Sequence, residues 1–155
     1  MSVTATGTAP TPKNPAAPAL SVAFRAIVIA LAAGTSEAVF QAARYLDHPA
    51  ADIADLLPGL MIRATVYLAV LALAYRMADG SRWARNTLMI GLGTLGLASL
   101  LIEPIGAVLD APGELFARWT VASWLIAVCR TVHIVAVLVA VPAMLRAGRF
   151  VRRGV

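Results

Sequence analysis

The sequence predicts an all-α integral membrane protein, a four-helix bundle threaded up and down through the bilayer. Three observations carry that expectation. Of 155 residues, 60% are hydrophobic and only 14% are charged, whereas a soluble domain carries roughly a quarter charged residues. The apolar residues gather into four stretches, each exceeding the ~20 residues that a helix needs to cross the hydrocarbon core. The basic residues cluster at the ends of those stretches, where they set membrane topology.

Residues 1–19, MSVTATGTAPTPKNPAAPA, have no apolar period. Pro10, Pro12, Pro15 and Pro18 oppose a helix there, so a disordered cytoplasmic tail is expected. The first span is placed at about 20–46. A cleavable leader is its rival, since Lys13 and Arg25 precede an apolar stretch followed by small residues. Against cleavage, Glu37 sits just before Ala38, and apolar residues resume at Ala38-Val39-Phe40. The intact span is expected. The second, third and fourth spans fall at about 56–77, 84–109 and 119–145, closing a transmembrane domain over 20–146, and a basic cytoplasmic tail follows at 147–155. Short connections make sequential spans antiparallel neighbours. Pro104 and Pro142 are expected to bend the third and fourth spans by freeing a carbonyl one turn earlier.

Charge orients the bundle. The first loop carries Asp47, Asp52 and Asp55 against a flanking Arg44, and the third carries Asp110 and Glu114 against Arg118. The second loop holds Arg76, Arg82 and Arg85, and the C-terminus holds Arg146, Arg149, Arg152 and Arg153. The Lys and Arg excess therefore places the middle loop and both termini in the cytoplasm. Tyr75 and Trp83 on the inner side, with Tyr45 and Trp119 on the outer, mark headgroup depth. The net charge of +5 forms no stripe of the kind that binds nucleic acid, and no nucleic-acid partner is expected. Cys129 is the single cysteine, which removes intrachain disulfides and cysteine-rich metal sites.

Six ionisable residues fall within the spans: Arg25, Glu37, Arg63, Glu103, Arg130 and His133. A charge at the centre of a span costs several kcal/mol, so such residues face protein or water. From the helix rise, Glu37, Arg63 and Glu103 lie roughly 8–11 Å below the outer boundary, with Arg130 somewhat deeper. The sequence thus predicts a charge network of Glu37, Arg63, Glu103, Arg130 and His133. Sequential hairpins suggest Glu37 with Arg63 and Glu103 with Arg130, and the crossed pairing is also open. Helical phase places Ala30, Ala33, Gly34, Glu37, Gln41 and Arg44 on one face of the first span, and Gly96, Ser99, Glu103, Gly106 and Ala107 on one face of the third. Arg63, Tyr67, Val70 and Ala74 share a face of the second, and Arg130, His133, Val137 and Ala140 one of the fourth. Arg25 lies on another face near the inner boundary and reads as a snorkelling anchor.

Two readings of the network compete. It either locks helix register, as its cancelling charges favour, or lines a polar cavity in which Glu37, Glu103 and His133 handle a cation or proton. No cofactor or metal is expected. His48 lies in an outer loop and cannot face His133 across a haem, and Cys129 with His133 supplies only two ligands where a structural site takes four. No phosphate loop or nucleophile elbow occurs, so an enzyme is not expected. The glycines Gly91, Gly93 and Gly96 read as a close helix-packing surface. The basic C-terminus would hold anionic lipid at about 1 kcal/mol per residue.

The segment Tyr75-Arg76-Met77-Ala78-Asp79-Gly80-Ser81-Arg82-Trp83-Ala84-Arg85 resembles the inner loop of small, mostly uncharacterised four-span membrane proteins of actinomycete-type bacteria. There a basic, glycine-containing turn followed by Trp-Ala-Arg opens the third helix. The resemblance covers that loop and its flanks, and it implies the topology without an activity. Small multidrug transporters and fluoride channels share the size and span number, but their arrangement of residues is not found here.

The expected protein is therefore a non-enzymatic, multi-pass protein of the bacterial plasma membrane. The leading role is an accessory or scaffold partner in an inner-membrane assembly, with a membrane-protein partner or a second copy of itself. The alternative is a small proton- or cation-coupled transporter or channel using Glu37 and Glu103. A sensor built on Asp47, Asp52 and Asp55 is a third reading.

Overall fold

The computed structural model describes residues 17–110 and 120–153, without the side chains of 103, 104, 107, 108, 110 and 150–153. The described chain is helical apart from short connections. Its elements are α1 (Ala17–Leu46), α2 (Ile53–Ala78), α3 (Arg82–Ile90), a π-helical stretch (Gly91–Gly96), α4 (Leu97–Asp110) and α5 (Val121–Arg153). Among the described residues, four stretches are long and apolar enough to cross a membrane: Ala17–Leu46, Ile53–Ala78, Arg82–Ile102 and Val121–Arg149.

Most helix ends fall within three residues of expectation, and α5 overruns it by two turns. α1 begins at Ala17, inside the segment assigned to the disordered tail. Pro18 is accommodated because the first turn of a helix has no use for its missing N–H. Residues 1–16, and the acidic loop with Glu114, Arg118 and Trp119, lie outside the described residues. At the other end, α5 does not stop near Leu145 but runs on to Arg153. Ala147, placed in the basic tail by the sequence, is fully buried. It extends a stripe that already includes Ala136, Ala140 and Ala143, with spacings alternating between three and four residues. A face with that period stays turned toward one neighbour, so packing carries the helix past the apolar stretch.

α1 carries the matching stripe: Ala23, Ala26, Ala30, Ala33 and Glu37 are buried at the same alternating spacing. Small side chains on both helices let the backbones approach closely, and among the described residues α1 with α5 forms the most extensive helix contact. Contacts climb α1 as they descend α5. Glu37 meets Arg130, Gly34 meets His133, and Ala30 packs with Val137, so these two helices run in opposite directions. α2 packs on α1 and α3, and α3, the π-helical stretch and α4 all touch α5.

The turn between α2 and α3 is set by Gly80 and Ser81. Gly80 adopts a φ of +92°, which side chains other than glycine resist. In that conformation the Gly80 N–H donates to the Met77 carbonyl and the Ser81 N–H to the Arg76 carbonyl, both at 3.0 Å, closing α2 with a Schellman motif. Ser81 then caps α3, its Oγ accepting from the Ala84 N–H at 3.3 Å. Near this turn lies the tight core, where Ile27, Met77, Leu88 and Met144 interlock with the buried alanines. Toward the α1–α2 loop the packing loosens: Ala74 and Met77 are the buried residues of α2, and Ala84 and Leu88 those of α3. Glu37, Gln41, Arg63, Arg130 and His133 lie in that looser part.

A polar chamber between the helices as candidate functional site

Glu37 is the buried charge of the described residues, 6% exposed. Its Oε1 accepts from Arg130 Nε at 2.8 Å and also from Arg130 Nη2. The same oxygen accepts from Gln41 Nε2 at 3.1 Å. Gln41, one turn further along α1, turns its amide oxygen to Arg63 Nη1 on α2 at 2.9 Å. The orientation of this amide is dictated by its neighbours. Only its oxygen can receive the guanidinium, and only its nitrogen can serve the carboxylate. A continuous polar chain therefore runs Arg63–Gln41–Glu37–Arg130, joining α2, α1 and α5.

Glu37 pairs with Arg130. The hairpin expectation of Glu37 with Arg63 is replaced by Glu37 with Arg130, because the alanine seam brings the first and last helices into closest contact. Arg63 reaches Glu37 only through Gln41. Glu103 is on α4, one turn beyond Ser99; its side chain, and so the suggested Glu103–Arg130 pair, lies outside the described residues. Arg25 is exposed on α1.

Beside the chain, Gly34 makes a notch in α1. A Cβ on Gly34 would stand 2.8 Å from Tyr67 Oη, 2.9 Å from His133 Cε1 and 3.0 Å from His133 Nδ1. The missing side chain lets a phenol from α2 and an imidazole from α5 settle against the α1 backbone. His133 Nδ1 is buried and has no hydrogen-bond partner among the described residues. A buried polar atom left in this way is unusual in a folded protein and points to a missing partner.

These groups surround a cavity of about 350 Å³, within the range of small-molecule sites. Its polar wall is Glu37, Gln41, Arg63, Tyr67, Arg130 and His133, with Ser99 from α4. Its apolar wall includes Leu31, Ile62, Val66, Val70, Leu92 and Leu100. The π-helical stretch shapes the third side. The Leu97 N–H reaches back five residues to the Leu92 carbonyl, widening the helix and shifting the face that follows, a device common at functional sites. The glycines here were expected to mark close helix packing. Instead Gly91 has open space around it, and Gly93 meets Val141 of α5 only at an ordinary 3.8 Å. The close approach is at Gly34.

Of the residues predicted from sequence, Glu37, Arg63, Arg130 and His133 come together around one cavity. Gln41 and Tyr67 lie on the faces predicted for them; Gln41 bridges Glu37 and Arg63, and Tyr67 lines the cavity. Among the described residues no group of three or more His, Cys, Asp or Glu side chains converges as a metal site. No family profile, curated protein or solved structure matches this chain.

Proposed function

We propose that the chain is an integral membrane protein that holds a small solute in this chamber, as a carrier or a membrane receptor does, and that it performs no chemistry on it. Its helices would form an up-and-down bundle in a bacterial plasma membrane, with the α2–α3 turn and both termini cytoplasmic. The arginines of that turn and of the C-terminus support this orientation. One observation carries the functional reading. A bonded polar chain across α1, α2 and α5, with His133 Nδ1 left unpartnered among the described residues, lines a cavity of about 350 Å³. A network whose sole purpose was to lock register would gain from filling that space, since voids forfeit packing energy.

The chamber sits toward the loosely packed end, and the tight core around Met77, Leu88 and Met144 closes the other. Access is therefore proposed from the outer face. An accessory role in a larger assembly draws on the exposed apolar faces of α2 and α4, which lipid covers equally well. Thiol labelling separates the two. With Cys129→Ala as background, Ser99→Cys in liposomes should react with a charged, membrane-impermeant maleimide added outside, while Leu88→Cys should not. If Ser99→Cys stays unreactive from both sides, the cavity is sealed and the accessory role takes precedence.

A further inference from the structure

We infer that the chamber is an oxyanion site: it takes the carboxylate or phosphate head of a small amphipathic molecule. This rests on the reading of the cavity as a solute site and names the chemistry of the solute. The argument is an inventory of donors and acceptors. Glu37 Oε1 already accepts from Arg130 and from Gln41, and the Gln41 oxygen is taken by Arg63. Arg63, by contrast, has donors to spare. A guanidinium has five N–H groups in a fork that matches an oxyanion, and Arg63 gives Nη1 to a neutral amide.

Tyr67 Oη stands in the Gly34 notch beside the buried, unpartnered Nδ1 of His133. Its O–H and, in the δ tautomer, the imidazole N–H add neutral donors to the same wall. Arg63, exposed at the edge of the cavity and bonded to a neutral amide, gains from a mobile anion through charge-assisted hydrogen bonds that a cation could not make. The apolar wall of Ile62, Val66 and Leu100 fits a short hydrocarbon body attached to that head. Such a molecule could come from solution or be the head of an anionic phospholipid.

The test uses the full chain in nanodiscs of neutral phosphatidylcholine, with hexanoate and hexyltrimethylammonium as matched probes of opposite charge. Binding is read as a thermal shift and by equilibrium dialysis. Hexanoate should bind and hexyltrimethylammonium should not. Arg63→Gln should weaken hexanoate about tenfold or more, Arg63→Lys should retain part of the affinity, and Tyr67→Phe should weaken it less. Unliganded melting of each variant reports whether it has folded. Preference for the cationic probe would overturn the oxyanion assignment while leaving the chamber intact. Binding of neither probe, with Ser99→Cys still labelled, would overturn it as well. No binding together with no labelling removes the solute-site reading itself. Competition by phosphatidylglycerol nanodiscs would name lipid as the source of the head group, and its absence would name a free solute; both support the site.

Discussion

The Glu37 carboxylate on α1 is held by the Arg130 guanidinium on α5, with Arg130 Nε 2.8 Å from Glu37 Oε1. The two residues are 93 positions apart in sequence, on the first and last helices, and the bridge stands at the head of the alanine seam that joins them. The side chains are 8% and 15% exposed, so each charge is largely withdrawn from solvent. The polar chain and the cavity beside it are organised around this pair.

Gln41 is predicted to matter more than an uncharged residue ordinarily would. It donates to Glu37 and accepts from Arg63, and hydrogen bonds to charged groups are worth about 1.5–3 kcal/mol each. Gln41→Leu, close to it in volume, should lower unfolding stability in mild detergent by at least about 1.5 kcal/mol. Gln41→Glu should cost more in the presence of Glu37 than in a Glu37→Gln background, because it places two carboxylates one turn apart on α1. Equal cost in both backgrounds would mean that the two side chains do not meet.

Gly34→Ala is predicted to destabilise by about 1–3 kcal/mol, the usual penalty of overpacking. Its Cβ would fall 2.8 Å from Tyr67 Oη, so removing that oxygen with Tyr67→Phe should recover part of the loss. Thermal melts of the two single variants and the double check this. An additive double would show that phenol and glycine are not in contact.

Two glycines of the α2 region should respond with opposite signs. Gly80 has a φ of +92°, and Gly80→Ala should cost about 1–2 kcal/mol from backbone strain alone. Gly59 lies inside α2, and a Cβ added there would meet nothing within 4 Å. Gly59→Ala should therefore leave stability unchanged or raise it by about 0.5–1 kcal/mol. Chemical denaturation of both variants side by side is the measurement, and a loss at Gly59 would argue against the open space around it.

Much of this was legible in the sequence, for identifiable reasons. The faces that carry Glu37, Arg63, Arg130 and His133 follow from helical phase, and the structure turns them toward one cavity. The small residues Ala30, Ala33 and Gly34 were equally visible as a packing face. The choice of partner was not. Short loops speak only for sequential neighbours, whereas the Glu37–Arg130 bridge depends on α1 and α5 lying together, which is settled by alanines far apart in the chain. Gln41 and Tyr67 carry no formal charge, so a pattern of charges does not single out the amide or the phenol. Their signal was position, Gln41 one turn from Glu37 and Tyr67 one turn from Arg63. The glycines at 91, 93 and 96 carry a helix of changed pitch, which composition alone does not distinguish from a packing surface.

The most direct test of the central claim is a pair of double-mutant cycles read as unfolding free energy in mild detergent. Glu37→Gln and Arg130→Gln should each cost about 3–5 kcal/mol by leaving a buried charge without its partner, and the double should cost clearly less than their sum. The cycle of Glu37→Gln with Arg63→Gln should show weaker coupling, which disappears in a Gln41→Leu background. Strong coupling of Glu37 to Arg63, with none to Arg130, would contradict the account, because the carboxylate would then belong to the α1–α2 hairpin and the chamber would lose the bridge that organises it.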